Sequence, residues 1–143
     1  MYPKELVMPM KEELTSVGFE DLTTPEAVQN AIKNTEGTLL LVVNSVCGCA
    51  AGMARPGVKL SLTNEVRPDK LATVFAGFDM EATAEARKLT LPYPPSSPSI
   101  ALFKNGKLVY FIERHQIEGR NAMIIANALV GAYEKYCKEE VSN

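Results

Sequence analysis

Two cysteines separated by one glycine, Cys47-Gly48-Cys49, are the residues of this chain best suited to do chemistry. They follow an apolar run, residues 38–44, that predicts a buried strand, and they precede an alanine-rich stretch that predicts a helix. The first turn of a helix has free backbone N–H groups and a partial positive charge, and both stabilise a thiolate. Because the thiolate is the nucleophile in thiol–disulfide exchange, we predict a catalytic pair in which Cys47 is the more reactive thiol.

The spacing of the pair limits the disulfide that it could form. Side chains two residues apart on a helix point to nearly opposite sides, whereas a disulfide needs Cβ atoms about 3.5–4.5 Å apart. Gly48 has no Cβ and is therefore the residue best able to let the backbone deform. Strain in the oxidised form raises the reduction potential, by about 30 mV for each ~1.4 kcal/mol. We expect an oxidising, readily reduced pair rather than a structural crosslink.

Metal binding is the main alternative for these thiols. Zinc and iron–sulfur sites usually have four Cys or His ligands, often with two other residues between successive ligands. The chain has three cysteines and one histidine, without that spacing: Cys47, Cys49, Cys137 and His115. We predict no metal site within the chain, and we leave open a cluster shared between subunits or a chance pair of buried thiols.

Length and composition bound the remaining possibilities. The 143 residues suffice for one domain with a real core, and 46% hydrophobic and 22% charged residues are ordinary for a globular protein. A net charge of −2 gives no reason to expect nucleic acid or a membrane surface as a partner. There is no apolar run near 18 residues, and residues 1–5 lack a signal-peptide pattern. We therefore expect a cytoplasmic protein whose thiols are normally reduced.

Helices and strands are predicted to alternate along the chain, which indicates an α/β protein with a central mixed β-sheet flanked by helices on both faces. Asn105-Gly106 is a strong hairpin signal and adds an antiparallel pair. We expect a single domain over residues 1–143, with residues 1–23 as an N-terminal extension packed on it. The first predicted helix covers 11–14 and ends near Gly18, and the second starts at 24–26. The later predicted helices are 50–62, with a break at Pro56-Gly57, 80–89 and 120–136. The predicted strands are 38–44, 71–77, 99–104 and 107–113.

The chain resembles the thioredoxin fold in the order of its predicted elements. These are the strand, the dithiol, the broken helix, the proline-rich loop 91–98 and the hairpin. More narrowly, the chain resembles the bacilliredoxin family of low-GC Gram-positive bacteria. The nine-residue stretch around the cysteines is specific to this family, and the match extends over the whole chain. The matching segments are Asn44-Ser45-Val46-Cys47-Gly48-Cys49-Ala50-Ala51-Gly52, Ala54-Arg55-Pro56, the Pro-Pro-Ser-Ser-Pro-Ser loop at 94–99, and Glu113-Arg114-His115 before Ile117-Glu118-Gly119-Arg120.

The resemblance implies roles for particular residues. Cys47 corresponds to the family's nucleophile and Cys49 to its second thiol. Pro56 lies near the position of the kink proline, and Pro98 matches the cis-proline that abuts the dithiol and helps to dock the substrate backbone. Bacilliredoxins reduce protein–bacillithiol mixed disulfides, and some members have been described as disulfide isomerases. The implied activity is removal of bacillithiol from client proteins, with bacillithiol as co-substrate and no bound cofactor. An isomerase or weak oxidase, and a non-enzymatic metal or cluster carrier, remain the alternatives.

Substrate binding is expected around the dithiol, at Pro98, Ser97, Gly48 and Arg55. Arg55 and Arg114 could each contact a carboxylate-bearing thiol such as bacillithiol, or could form ordinary salt bridges instead.

Five further residues have two interpretations or a minor role. Asn44 and Ser45 could orient the active-site turn by hydrogen bonds from side chain to backbone. His115 could relay protons or lie at the surface, and Tyr93 could line a substrate groove or pack. Cys137 lies in a charged last helical turn and is interpreted as a bystander.

Overall fold

The central strand β2, Thr38–Asn44, is buried along its whole length. The computed structural model describes residues 1–138. Strand β2 pairs in parallel with β3, Lys70–Phe75, and antiparallel with β4, Ser99–Lys104. A strand covered on both faces needs apolar side chains in both alternating sets, which explains the unbroken run of leucine and valine. The prediction of a mixed α/β sheet is confirmed.

The two edges of the sheet are completed by short or exposed strands. Strand β5, Lys107–Ile112, pairs antiparallel with β4, and the strand order is β1-β3-β2-β4-β5. The hairpin turn has φ of +50° at Asn105 and +80° at Gly106, the left-handed conformation that this dipeptide favours. At the other edge, β1, Glu20–Asp21, pairs in parallel with β3. Sequence analysis did not predict β1, because two polar residues give no hydrophobic period.

Helices cover both faces of the sheet. The helical segments are α1 Lys4–Thr15, α2 Pro25–Lys33, a π-helical turn at Ala50–Ala54, α3 Arg55–Ser61, α4 Met80–Leu89, α5 Arg114–Ile117 and α6 Ala122–Tyr136. Leu40 and Val42 of β2 face a core with α3 and α6, whereas Leu39 and Leu41 face the core on the side of α2 and α4. Within residues 1–138 no helix is both long and apolar enough to cross a membrane.

The N-terminal helix is longer than the predicted segment 11–14. Val7, Lys11 and Leu14 form its buried stripe, and the lysine in it leaves no continuous apolar pattern that could have indicated the first two turns. The ammonium group of Lys11 lies 2.9 Å from Asp21 and 2.7 Å from Asp79, and these ion pairs compensate for its burial. The helix is therefore fixed to the sheet edge by charges that are distant in sequence.

The helix after the cysteines begins with a π-helical turn, where a regular helix with a break was predicted. The N–H of Arg55 donates to the carbonyl of Ala50, five residues back. Pro56 follows directly and has no N–H to give, so the regular hydrogen-bond ladder is interrupted here. The last helix begins at Ala122 rather than at residue 120, because the side chain of Asn121 caps it by accepting from the N–H of Ile124 at 2.9 Å.

Candidate active site

Cys47 lies where strand β2 gives way to a helix. The carbonyl of Cys47 accepts from the N–H groups of Ala50 at 2.9 Å and Ala51 at 3.2 Å, so the helix starts at this cysteine. Its own N–H donates to the hydroxyl of Ser45 at 3.2 Å. The thiol therefore lies at the end of the helix with the partial positive charge and the unpaired amides, as predicted.

The two sulfur atoms of the motif lie 2.6 Å apart, and both cysteines are free thiols. Cys47 is half-buried, whereas Cys49 is only 7% exposed. The hydrogen bond from Cys49 holds the pKa of the Cys47 thiol below its ordinary value, helped by backbone N–H groups and the charge of Arg114. Burial, followed by the hydrogen bond and charge of Cys47, raises the pKa of Cys49. One thiol is therefore poised to ionise and the other to keep its proton.

Gly48 occupies the exposed position between the two thiols. Its φ lies outside the left-handed region, and a Cβ added there would meet no atom within 4 Å. In the dithiol state the backbone therefore does not require glycine at this position. The deformation expected of Gly48 in a disulfide, and its predicted contact with substrate, stay predictions.

The loop before Cys47 is held by polar side chains from within. The Oδ1 atom of Asn44 accepts from the N–H of Ser45 at 2.9 Å, which confirms that these residues orient the turn. The guanidinium of Arg55 donates to the same Oδ1 and to the carbonyl of Ser45, each at 2.9 Å. Arg55 is only 2% exposed, so its burial argues against the direct substrate contact predicted for it. It is a positioning residue for the loop.

Helix α1 reaches the same loop from the outside. A carboxylate oxygen of Glu13 lies 2.8 Å from Nε of Arg55, and the side-chain amide of Asn44 donates to the carbonyl of Met10 at 3.2 Å. The residue order gave no signal for these contacts, because 34 positions separate Met10 from Asn44. The N-terminal segment is thus part of the support beneath Cys47.

A groove of about 420 Å³ opens beside Cys47. The Ser97–Pro98 peptide bond is cis, as the resemblance implied, and Ser97 lines this groove together with Cys47. Arg114 lies on the same wall, with Nη1 3.4 Å from the carbonyl of Ser97. Arg114 also pairs with Glu118, which confirms the salt-bridge role, whereas its contact with a carboxylate-bearing thiol stays a prediction.

Two residues of this groove escaped sequence analysis, namely Tyr2 and Arg87. Tyr2 lies in the N-terminal segment, where its ring packs against Gly77 and its N–H donates to the glycine carbonyl at 3.4 Å. The φ of +81° at Gly77 turns the chain here, and a Cβ would lie 2.6 Å from the tyrosine ring. Both residues come from elements far from the motif in sequence, and a single sequence carries no local signal for such convergence.

The remaining candidates lie outside the groove. His115 is exposed and its ring contacts the carboxylate of Glu113 at 2.9 Å. Tyr93 stacks on Phe111 with ring centroids 4.5 Å apart, which supports packing as its role. Cys137 lies beside Thr38, at the end of β2 opposite to Cys47, and burial raises the pKa of its thiol. In the part of the chain that the structure describes, no group of three or more His, Cys, Asp or Glu side chains could hold a metal ion.

Comparisons with known proteins agree with this geometry. A family model described as disulphide isomerase matches residues 2–137. A bacilliredoxin of Cytophaga hutchinsonii is 59% identical over 135 residues, which is 94% of this chain and 99% of the relative. The chain belongs to the bacilliredoxin family. A second bacilliredoxin, from Halalkalibacterium halodurans, is 50% identical and covers 96% of this chain and 95% of its own length.

Solved structures place this bacilliredoxin family member in the thioredoxin fold. Mitochondrial thioredoxin 3 of Saccharomyces cerevisiae superposes with a TM-score of 0.57 at 20% identity, covering 86% of this chain and 98% of its own. A thioredoxin of Malassezia sympodialis gives a TM-score of 0.58 at 14% identity, covering 85% and 92%. Family, fold and the paired thiols together assign thiol–disulfide redox chemistry to the chain.

Proposed function

We propose that this protein removes bacillithiol from mixed disulfides with client proteins, using Cys47 as the attacking thiol. The observation that carries the proposal is the asymmetry of the pair. Cys47 is accessible and accepts a hydrogen bond that favours its thiolate, whereas Cys49 is buried and keeps its proton. Such a pair performs one exchange at a defined sulfur, which is what removal of a single small thiol requires.

In the first step the Cys47 thiolate attacks the bacillithiol sulfur of the mixed disulfide. A bond forms between Cys47 and bacillithiol, the bond between bacillithiol and the client breaks, and the client leaves as a thiolate that takes a proton from solvent. No metal or bound cofactor enters the step. Bacillithiol is the co-substrate, and bacillithiolated proteins are the partners.

Two routes then free Cys47. A second bacillithiol can attack the adduct, which yields bacillithiol disulfide and restores the Cys47 thiolate. Alternatively Cys49 attacks the Cys47 sulfur, releases bacillithiol and leaves a Cys47–Cys49 disulfide that an external thiol must reduce. Because the structure buries Cys49 directly beneath Cys47, both routes are compatible with the site. We propose the cytoplasm as compartment, where thiols are kept reduced.

The second candidate function is exchange of disulfides in client proteins, by isomerisation or weak oxidation. The description of the matching family model favours it, and it needs the same nucleophile. The two functions differ in substrate. Removal of bacillithiol is measured with a bacillithiolated client protein, and disulfide exchange is measured with a protein whose disulfides are scrambled.

The deciding experiment follows bacillithiol release from a modified client by intact-mass analysis. Wild type and Cys49→Ala should both release the client thiol, and Cys49→Ala should accumulate as a Cys47–bacillithiol adduct. Cys47→Ala should do neither, whereas Cys137→Ala, the matched cysteine variant away from the groove, should behave as wild type. Activity in Cys47→Ala would overturn the assignment, and faster turnover of scrambled disulfides than of the bacillithiolated client would favour the isomerase.

A further inference from the structure

The groove beside Cys47 is lined by two arginines that come from different helices. Arg87 lies in the last turn of α4 and Arg114 opens α5. The same wall carries the Cys47 thiol and three neutral polar side chains, those of Tyr2, Ser45 and Ser97. Among the described residues 1–138, no carboxylate lines it. Arg114 is already paired with Glu118 and lies near the Cys47 thiol, so Arg87 is the cation of this wall that has no ion-pair partner among residues 1–138. A concave surface with such a cation is suited to bind an anionic ligand.

The surroundings of Arg87 support an anion-binding role for the groove. Its Nε is buried and has no hydrogen-bond partner, and within residues 1–138 no carboxylate lies within 4.0 Å of its guanidinium. Its neighbour Lys88, by contrast, points outward and pairs with Glu85 at 3.4 Å. The buried Nε cannot itself reach the groove, but a half-buried guanidinium that forms no ion pair within residues 1–138 keeps its charge available to a ligand there.

We infer that Arg87 and Arg114 form a subsite for a carboxylate carried by the small-thiol half of the mixed disulfide. This inference rests on the proposed role of Cys47 and extends it to the choice of sulfur. A mixed disulfide offers two sulfur atoms, and attack on the wrong one would link Cys47 to the client. A carboxylate held in the groove brings the small-thiol sulfur to Cys47 and leaves the client sulfur outward as the leaving group.

Two symmetric aromatic disulfides test the subsite without any bacillithiol. Dithiobis(nitrobenzoate) carries a carboxylate on each ring, whereas dithiodipyridine is neutral, and both release a coloured thiolate or thione when Cys47 attacks. The first-phase rate constants are measured in a Cys137→Ala background, so that the motif is the only source of thiols. Each probe is compared with itself across variants, which cancels its intrinsic reactivity.

The ratio of the anionic-probe rate to the neutral-probe rate is the readout. We expect Arg87→Gln to lower it by roughly tenfold, the order of one charge-assisted contact, and Arg87→Lys to restore part of it. Lys88→Gln, the matched charge change one position along α4, should leave both rates as in the parent. Arg114→Gln should lower the ratio as well as both rates, because Arg114 also stabilises the Cys47 thiolate.

Salt provides a test that needs no variant. Because the subsite is open to solvent, raising the salt concentration should slow the anionic probe and leave the neutral probe nearly unaffected. A ratio that neither salt nor Arg87→Gln changes would overturn the subsite, as would an equal effect of Lys88→Gln. If the Cys137→Ala parent protein reacted with neither probe, Cys47 would not be the nucleophile. Failure of the proposed function is therefore distinguishable from failure of the subsite.

Discussion

Glu13 and Arg55 form an ion pair of 2.8 Å that connects the N-terminal helix to the support of the active-site loop. The two partners are unequal, since the side chain of Arg55 is 2% exposed and that of Glu13 is 39% exposed. Arg55 also holds Asn44 and Ser45, whereas Glu13 contacts only the arginine of that set. Of the two residues, Arg55 therefore contributes more to the structure of the loop than Glu13 does.

The first prediction follows from this asymmetry. Arg55→Met should lower the free energy of unfolding by about 2 kcal/mol or more, because two buried acceptors lose a charged donor. Glu13→Gln should cost about 1 kcal/mol or less, since a partly exposed ion pair is screened by solvent. Urea unfolding measures both, and alkylation of Cys47 should slow in Arg55→Met alone. Equal losses in the two variants would mean that the ion pair, not the loop contacts, dominates.

The second prediction concerns the acidity of Cys47. Its pKa lies below the ordinary thiol value chiefly because of the hydrogen bond from Cys49, so Cys49→Ala should raise it and Cys49→Ser should keep part of the effect. Lowering the pH should therefore extinguish alkylation of Cys47 at a higher pH in Cys49→Ala than in wild type. Mass-resolved alkylation across a pH series measures this, with Cys137 as an internal reference thiol. Identical profiles in all three proteins would contradict the hydrogen-bond explanation.

The third prediction compares two glycines of the helix that follows the dithiol. A Cβ at Gly57 would lie 2.9 Å from two side-chain atoms of Ile125 in α6, whereas a Cβ at Gly52 would meet nothing within 4 Å. Gly57→Ala should therefore destabilise by about 1–3 kcal/mol through overpacking. Gly52→Ala should be neutral or stabilise by up to about 1 kcal/mol. Thermal unfolding of both variants tests the pair, and a stable Gly57→Ala would show that α3 and α6 can separate without cost.

The fourth prediction concerns a buried tyrosine in the same helix pair. The hydroxyl of Tyr133 lies 2.9 Å from that of Ser61, which itself donates to the carbonyl of Val58 at 2.6 Å. Because the serine hydrogen is already used, Tyr133 is the donor between them. Tyr133→Phe should cost about 1 kcal/mol of stability, the worth of one hydrogen bond.

The same tyrosine should produce a stability change at high pH. Burial raises the pKa of Tyr133, so the folded protein keeps a proton that the unfolded chain releases above about pH 10. Its contribution is complete below that pH and declines as the pH rises. The stability difference between wild type and Tyr133→Phe should therefore shrink as the pH rises above about 10, the unfolded-state pKa, toward the raised pKa of the folded state. A difference that stays constant over this range would contradict the raised pKa.

Local patterns sufficed for the parts of the fold that local sequence determines. The apolar run at 38–44 and the Asn105-Gly106 turn predicted the centre of the sheet and its hairpin, because burial on both faces and a left-handed turn each leave a signature in adjacent residues. The placement of Cys47 at a helix start was predicted for the same reason. The cis bond at Pro98 came from the family resemblance, since residue order alone does not specify a minority isomer.

Long-range polar contacts were not predictable in this way. Lys11 was predicted only as part of a short helix, and only the folded chain brings it to two aspartates. Arg55 was expected either to contact substrate or to form a salt bridge, and its partners bury it beneath the loop, where it pairs with Glu13. Arg87 and Tyr2 reach the groove from distant elements. In each case the determining interaction joins residues that are far apart in sequence, so no pattern of spacing could indicate it.

The contact between Tyr2 and Gly77 has a practical consequence for purified protein. Met1 is 93% exposed and precedes a tyrosine that lines the groove, so a purification tag joined there would emerge at the groove's rim. A tag of acidic residues would place carboxylates near Arg87 and Arg114, and a bulky one would crowd an incoming client. Kinetic comparisons between preparations of this protein therefore require the same residues ahead of Met1.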